Sequence, residues 1–167
     1  MKLLDTTGNG NSKIAKTQAL TNGIRLAQLS LHPDNELCPG SKAAQCMDDC
    51  LLYSGLAAVY DSVNEARARK SEFFKTDEAG FLDQLRRELH NFLELCAKLG
   101  LTPWVRLNVL SDVAWEKYGI SQEFPDLNFY DYTKRAARLF KTSPNYSLMF
   151  SYSGAPKYHN QILKAFD

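Results

Sequence analysis

Three of the four cysteines, Cys38, Cys46 and Cys50, crowd into thirteen residues, while Cys96 lies far downstream. Thiolates are soft ligands suited to zinc or to an iron–sulfur cluster, and three of them leave one coordination position for another donor. His32, Asp48, Asp49 or an exogenous ligand would fill it. Cys46 and Cys50 are four residues apart, so on a helix they share one face, one turn from each other. A helix start at Cys46 would also favour its thiolate through the helix dipole. Cys38 would return from the Pro39-Gly40 turn as the third sulfur. Against this stands plain packing, because cysteine is among the most buried residue types. Cys96 falls on an apolar stripe with Phe92 and Leu93 and reads as core.

A second set of chemical groups sits where three strand-like segments end. Trp104 to Leu110, Leu127 to Tyr132 and Tyr146 to Tyr152 have strand composition, and each leads into a helix-like segment: Asp112–Tyr118, Lys134–Phe140 and Ala155–Phe166. Strand and helix alternating at this spacing is the pattern of parallel βα units, which gather ligands at the carboxyl ends of their strands. Those ends carry Arg106, Asn108, Ser111 and Asp112, then Asp131, Tyr132, Thr133 and Lys134, then Ser151, Tyr152 and Ser153. Ser111, Asp112 and Thr133 are also good helix caps. Arg106, Asn108 and Asp131 lie inside the strand pattern, where a charge needs a partner or a ligand. An Arg106–Asp131 pair between neighbouring strands is the structural alternative. In an enzyme, Asp131 and Lys134 are the candidates for proton transfer, and Arg106, Asn108, Ser111, Asp112 and Thr133 for binding a small-molecule substrate or cofactor.

The elements before the strands must present the cysteines. Ile24, Leu26 and Leu29 around Thr21-Asn22-Gly23 suggest a short hairpin, and His32 to Lys42 a loop. From about Ala43 to Lys75 the period is helical, carried by Leu51, Leu52, Leu56, Val59, Tyr60 and Val63. Thr76 or Asp77 can cap a second helix with an apolar face of Phe81, Leu82, Leu85, Leu89, Phe92, Leu93 and Cys96, and Gly100 stops it. The expected fold is α/β in a single domain, 1–167. It divides into a turn, hairpin and cysteine loop (1–42), a helical part (43–100) and βα units (101–167), with an open or partial TIM-barrel-like sheet.

Composition narrows the function classes. The chain has 167 residues, 44% hydrophobic and 23% charged, which is the balance of a globular domain and not of a disordered or disulfide-packed one. Twenty Lys+Arg against nineteen Asp+Glu give a charge of +1, so there is no bulk attraction to nucleic acid or anionic lipid. Arg67, Arg69, Lys70 and Lys75 form the densest basic run, which reads as a solvated helix face and leaves local nucleic-acid contact open. Neither a signal-peptide pattern nor a membrane-length apolar run appears, so the expected compartment is the cytoplasm and no membrane partner is expected. Gly8-Asn9-Gly10-Asn11-Ser12-Lys13 lacks the order of a phosphate loop and reads as a turn. His90 and His159 read as surface or cap residues.

Gly10-Asn11-Ser12-Lys13, Cys38-Pro39-Gly40 with Cys46 and Cys50, Val105-Arg106-Leu107-Asn108 with Ser111-Asp112, and Phe129-Tyr130-Asp131-Tyr132-Thr133-Lys134 occur in that order. Together they resemble the bacteriophage "gene product 88"-like family, across most of the chain. The resemblance implies host cytoplasm as the location and a C-terminal half similar to part of a radical-SAM-type barrel. Such barrels hold a [4Fe-4S] cluster on three cysteines, with S-adenosylmethionine on the open iron. A partial barrel leaves a strand edge, to be covered by the N-terminal segment or by a second copy in a homo-oligomer. The alternatives are a non-catalytic interaction protein with a structural zinc site and a nucleic-acid-associated phage accessory protein.

Overall fold

The computed structural model describes residues 1–5, 19–23, 37–48, 50 and 55–166, with the side chains of 19–23 and Leu56 left aside. Gly8–Lys13, Ile24–His32 and Asp49, which the sequence reading used, lie outside the described residues. The order is β1 (Ala19–Gly23), α1 (Asp61–Thr76), α2 (Glu78–Leu99), β2 (Thr102–Arg106), the single-turn α3 (Ile120–Glu123), β3 (Asn128–Thr133), β4 (Tyr146–Phe150) and α4 (His159–Phe166). The four strands are parallel and stand in the order β1-β2-β3-β4. Sequential parallel order is that of a barrel wall, but among the described residues this sheet is open, with β1 and β4 at its edges. The α/β expectation is met in its open form; the partial-barrel form and the radical-SAM likeness are not.

The long helix follows its sequence closely. Asp77 accepts the Gly80 N–H at 2.9 Å as N-cap, and Gly100, at φ 63°, takes the left-handed position that ends α2. Phe81, Leu85, Leu89, Phe92 and Cys96 are buried along one face. They pack with Val105, Leu107 and Phe129 of the strand segments and with Phe74 and Trp115. Phe74 meets Phe81 edge-on at 5.1 Å and Trp115 at 5.5 Å. The first residues are tied to this helix pair. Glu88 accepts the N–H groups of Leu3 and Leu4, and Lys70 donates to the Leu3 carbonyl at 2.8 Å. Lys70 is therefore buried, which corrects the reading of the basic run as a uniformly solvated face.

Three local expectations are overturned. Thr21, Asn22 and Gly23 are strand residues paired in parallel with Trp104, Val105 and Arg106, not the turn of a hairpin. No α-helix begins at Ala43: Ala44 N–H reaches the Gly40 carbonyl, but Gln45 at φ 51° turns the chain out of helical geometry. Among the described residues, regular α-helix first starts at Asp61, and Val59 and Tyr60 are exposed. Cys46 and Cys50 thus share no helix face, and no helix dipole acts on Cys46. The helix-like segments after β2 and β3 are reduced to short 3-10 turns at Trp115–Tyr118 and Ala136–Arg138, with α3 following the first. No described helix is long and apolar enough to cross a membrane.

Candidate functional site

Each of the last three strands contributes one anchor for the cysteine loop. Beyond β2, the Asp112 N–H donates to the Leu37 carbonyl at 2.7 Å. At the end of β3, Lys134 packs so closely on Gly40 that a Cβ on that glycine would lie 2.6 Å from the Lys134 Cβ. Beyond β4, the Ser153 hydroxyl donates to the Ala44 carbonyl at 2.6 Å. The loop is thereby laid across the carboxyl ends of the strands. Between loop and strands lies a cavity of about 260 Å³, walled on one side by Cys38, Cys46 and Cys50. Its other walls include Arg106, Asn108, Ser111 and Asp112 from the β2 end, and Tyr132, Thr133 and Lys134 from the β3 end. All the expected binding residues and all three cysteines therefore face one space, together with Lys134. Asp131 does not line it.

Asp131 is wholly buried behind the wall. Its carboxylate accepts the Asn108 N–H at 2.7 Å and the Tyr146 hydroxyl at 2.7 Å. Burial pushes its pKa up to about 7, against the pull of those two hydrogen bonds and of the Arg106 and Arg138 charges. Asn108 in turn accepts from Ser111 Oγ, the Val113 N–H and Trp115 Nε1 through one amide oxygen. Asp131 thus holds Asn108, and Asn108 shapes the chain from Ser111 to Trp115. The same buried contact raises the Tyr146 pKa, by burial first and then by the Asp131 charge.

Asp112 is similarly engaged. It accepts the Lys134 N–H at 3.1 Å and pairs with Arg138, whose guanidinium also holds Glu116 at 2.8 and 2.9 Å. These three side chains are almost fully buried. Burial by itself would lower the Arg138 pKa; the Glu116 hydrogen bonds and the Asp112 and Glu116 charges reverse that and hold it above its ordinary value. Thr133 accepts the Arg135 N–H at 3.0 Å, and Lys134 Nζ donates to the Ser151 carbonyl at 3.0 Å. Ser111, for which capping was the alternative to ligand binding, bonds to Asn108, and Asp112 and Thr133, open to the same alternative, both meet Arg138 and so join the segments beyond β2 and β3.

The thiol wall is electrostatically distinct. Burial, then Asp112 and the other two cysteines, push the Cys38 thiol up to about 12, and Lys134 only partly offsets this. At neutral pH Cys38 is a protonated thiol, not a nucleophile. Cys46 Sγ contacts the Ser41 carbonyl at 3.8 Å. Among the described residues, no three His, Cys, Asp or Glu side chains are grouped so as to hold a metal ion. Cys96 is buried in the core, as read. His90 is exposed but has a partner the sequence reading missed, Glu94 four residues on, at 3.3 Å. Arg138, Glu116 and Tyr146 were also missed. Alternation marks Tyr146 as sharing a face with Phe150, but nothing in the spacing connects Arg138 to Asp112.

Arg106 is the exception among the polar walls. It sits 3.9 Å from Asp131 through Nε, an ion-pair contact too long for a hydrogen bond, and that Nε is buried without a hydrogen-bond partner among the described residues. Its guanidinium lies 4.9 Å from the centre of the Tyr132 ring. A family model described as Gene product 88 matches residues 2–166 of the chain. No curated protein and no solved structure matches it.

Proposed function

The chain belongs to the Gene product 88 family, and we propose that it acts there as a phage metalloprotein whose three-cysteine wall takes a soft metal ion or an iron–sulfur cluster beside a ligand pocket. One observation carries the reading: Cys38, Cys46 and Cys50 line the same cavity as the strand-end polar residues, although sequence places the two groups more than fifty residues apart. The donor set fits a zinc or iron–sulfur group in kind, being three soft sulfurs. It is not a finished ligand set, so binding has to draw the loop sulfurs together and displace the Cys38 proton. Zinc would supply Lewis acidity or a structural tie there, and a cluster would supply electron transfer.

The protein's own groups divide the remaining work. Asp131 is a positioning residue that sets Asn108 and the turn after β2, rather than a proton donor to ligand. Lys134 closes the floor through the Ser151 and Tyr152 carbonyls. The open sheet removes the barrel that motivated S-adenosylmethionine, and that ligand forms no part of this reading. The test is reconstitution of reduced protein under anaerobic conditions, with zinc or with iron and sulfide, followed by elemental analysis and visible absorption. About one metal centre per chain, lost in Cys38→Ser, Cys46→Ser and Cys50→Ser, is expected. Folded protein that retains neither metal overturns it.

A further inference from the structure

Most polar groups on the cavity wall are already satisfied from within the protein. Asn108 is held by Asp131 and by three donors; Asp112 is held by Arg138, Arg135 and the Lys134 N–H; Thr133 and Lys134 are bonded to neighbouring backbone. These groups shape the space. Arg106 differs. Its nearest carboxylate, Asp131, has one oxygen on the Asn108 N–H and the other on the Tyr146 hydroxyl. The Arg106 Nε donor is buried and has no hydrogen-bond partner among the described residues, and burying an unmatched donor is costly. The Tyr132 ring lies under the guanidinium and helps to hold it in place.

A guanidinium set over an aromatic ring in the wall of a cavity, with an Nε that has no hydrogen-bond partner among the described residues, has the donor chemistry of an oxyanion receptor. We infer that Arg106, seated on Tyr132, binds the carboxylate or phosphate of a small anionic ligand in the cavity walled by Cys38, Cys46 and Cys50. The cavity volume of about 260 Å³ lies just under the ~300–1,000 Å³ range of drug-sized ligand sites, so the ligand is metabolite-sized and not a dinucleotide. The inference rests on this cavity being the functional site, as proposed above, but not on what the thiols hold.

The experiment is a titration of reduced, metal-free, full-length protein with inorganic phosphate and, separately, with succinate, following the Arg106 Nε–H resonance in a ¹H–¹⁵N spectrum. A saturable shift is expected with at least one anion. Response to succinate alone assigns a carboxylate, and response to phosphate alone assigns a phosphate ester. Arg106→Lys keeps the charge but loses the planar fork, and by cavity-residue chemical shifts it should bind on the order of tenfold more weakly or worse. Anion binding by metal-free wild-type protein that also fails to load zinc or iron would keep this inference and overturn the metal reading, which separates the two. If neither anion moves the wild-type resonance, or if Arg106→Lys binds equally well, the inference is overturned.

Discussion

The face of α2 and the carboxyl ends of the strands are both buried, yet they are held by opposite means. Along α2, Phe81, Leu85, Leu89, Phe92 and Cys96 are removed from water by apolar neighbours. At the strand ends, Asp131, Asp112, Asn108 and Arg138 are removed from water only because each has a particular donor or acceptor. Apolar contact is non-directional and tolerates repacking. A buried polar network is directional and fails when one member is lost. A fold that needs a shaped polar wall has to accept the second kind of fragility in that place.

Two substitutions with similar cost should separate these modes. Phe81→Ala leaves a cavity among Phe74, Trp115 and the α2 face and should cost about 3–5 kcal/mol. Arg138→Ala leaves Asp112 and Glu116 buried without their cation and should also cost about 3–5 kcal/mol. They differ in rescue. Adding Glu116→Gln to Arg138→Ala should recover part of the loss, whereas no polar change should recover Phe81→Ala; urea unfolding of the single and double variants measures this.

The next effect is a dependence on pH. The Asp131 carboxyl titrates near 7 when folded and near 3.8 in its ordinary state, so between those values the folded protein binds the extra proton. Its contribution is therefore largest below about pH 4 and is lost as the pH rises to about 7. Subtracting the Asp131→Asn stability curve from that of wild type should isolate a fall across that window. A flat difference would place the Asp131 proton equilibrium elsewhere.

Gly40→Ala should come next, at about 1–3 kcal/mol, because its Cβ would be driven against Lys134. The effect should be local. Alkylation of Cys38 should become faster while amide exchange in α2 stays unchanged. The smallest expected change is Asp77→Ala, which removes the cap on Gly80 and should cost about 1 kcal/mol in thermal melts without altering the cavity.

The parts legible in sequence were those whose signal is local. The α2 stripe repeats with the helical period over about four turns, and its stops at Asp77 and Gly100 carry their own backbone chemistry. The strand segments showed themselves by composition, and the residues at their ends were picked out as a polar rim. The Cys46–Cys50 helix was misread because Leu51, Leu52 and Leu56 extended an apparent period backwards, while Gln45 turns the chain out before a helix can form. The Thr21-Asn22-Gly23 turn was misread for the reverse reason: turn-forming residues became an edge strand because β2 offered them a partner.

Sequence alone determined that this chain makes an α/β fold with one long amphipathic helix, parallel strands and polar strand ends, since each of these is encoded within a few residues of itself. Only the tertiary structure decided that the cysteine loop lies across those ends, that Asp131 supports the wall from behind, and that the Arg106 Nε has no hydrogen-bond partner among the described residues. Those outcomes depend on contacts between segments twenty to more than one hundred residues apart. Which hydrogen bonds such contacts satisfy is settled by the packing that brings the segments together, not by any spacing along the chain.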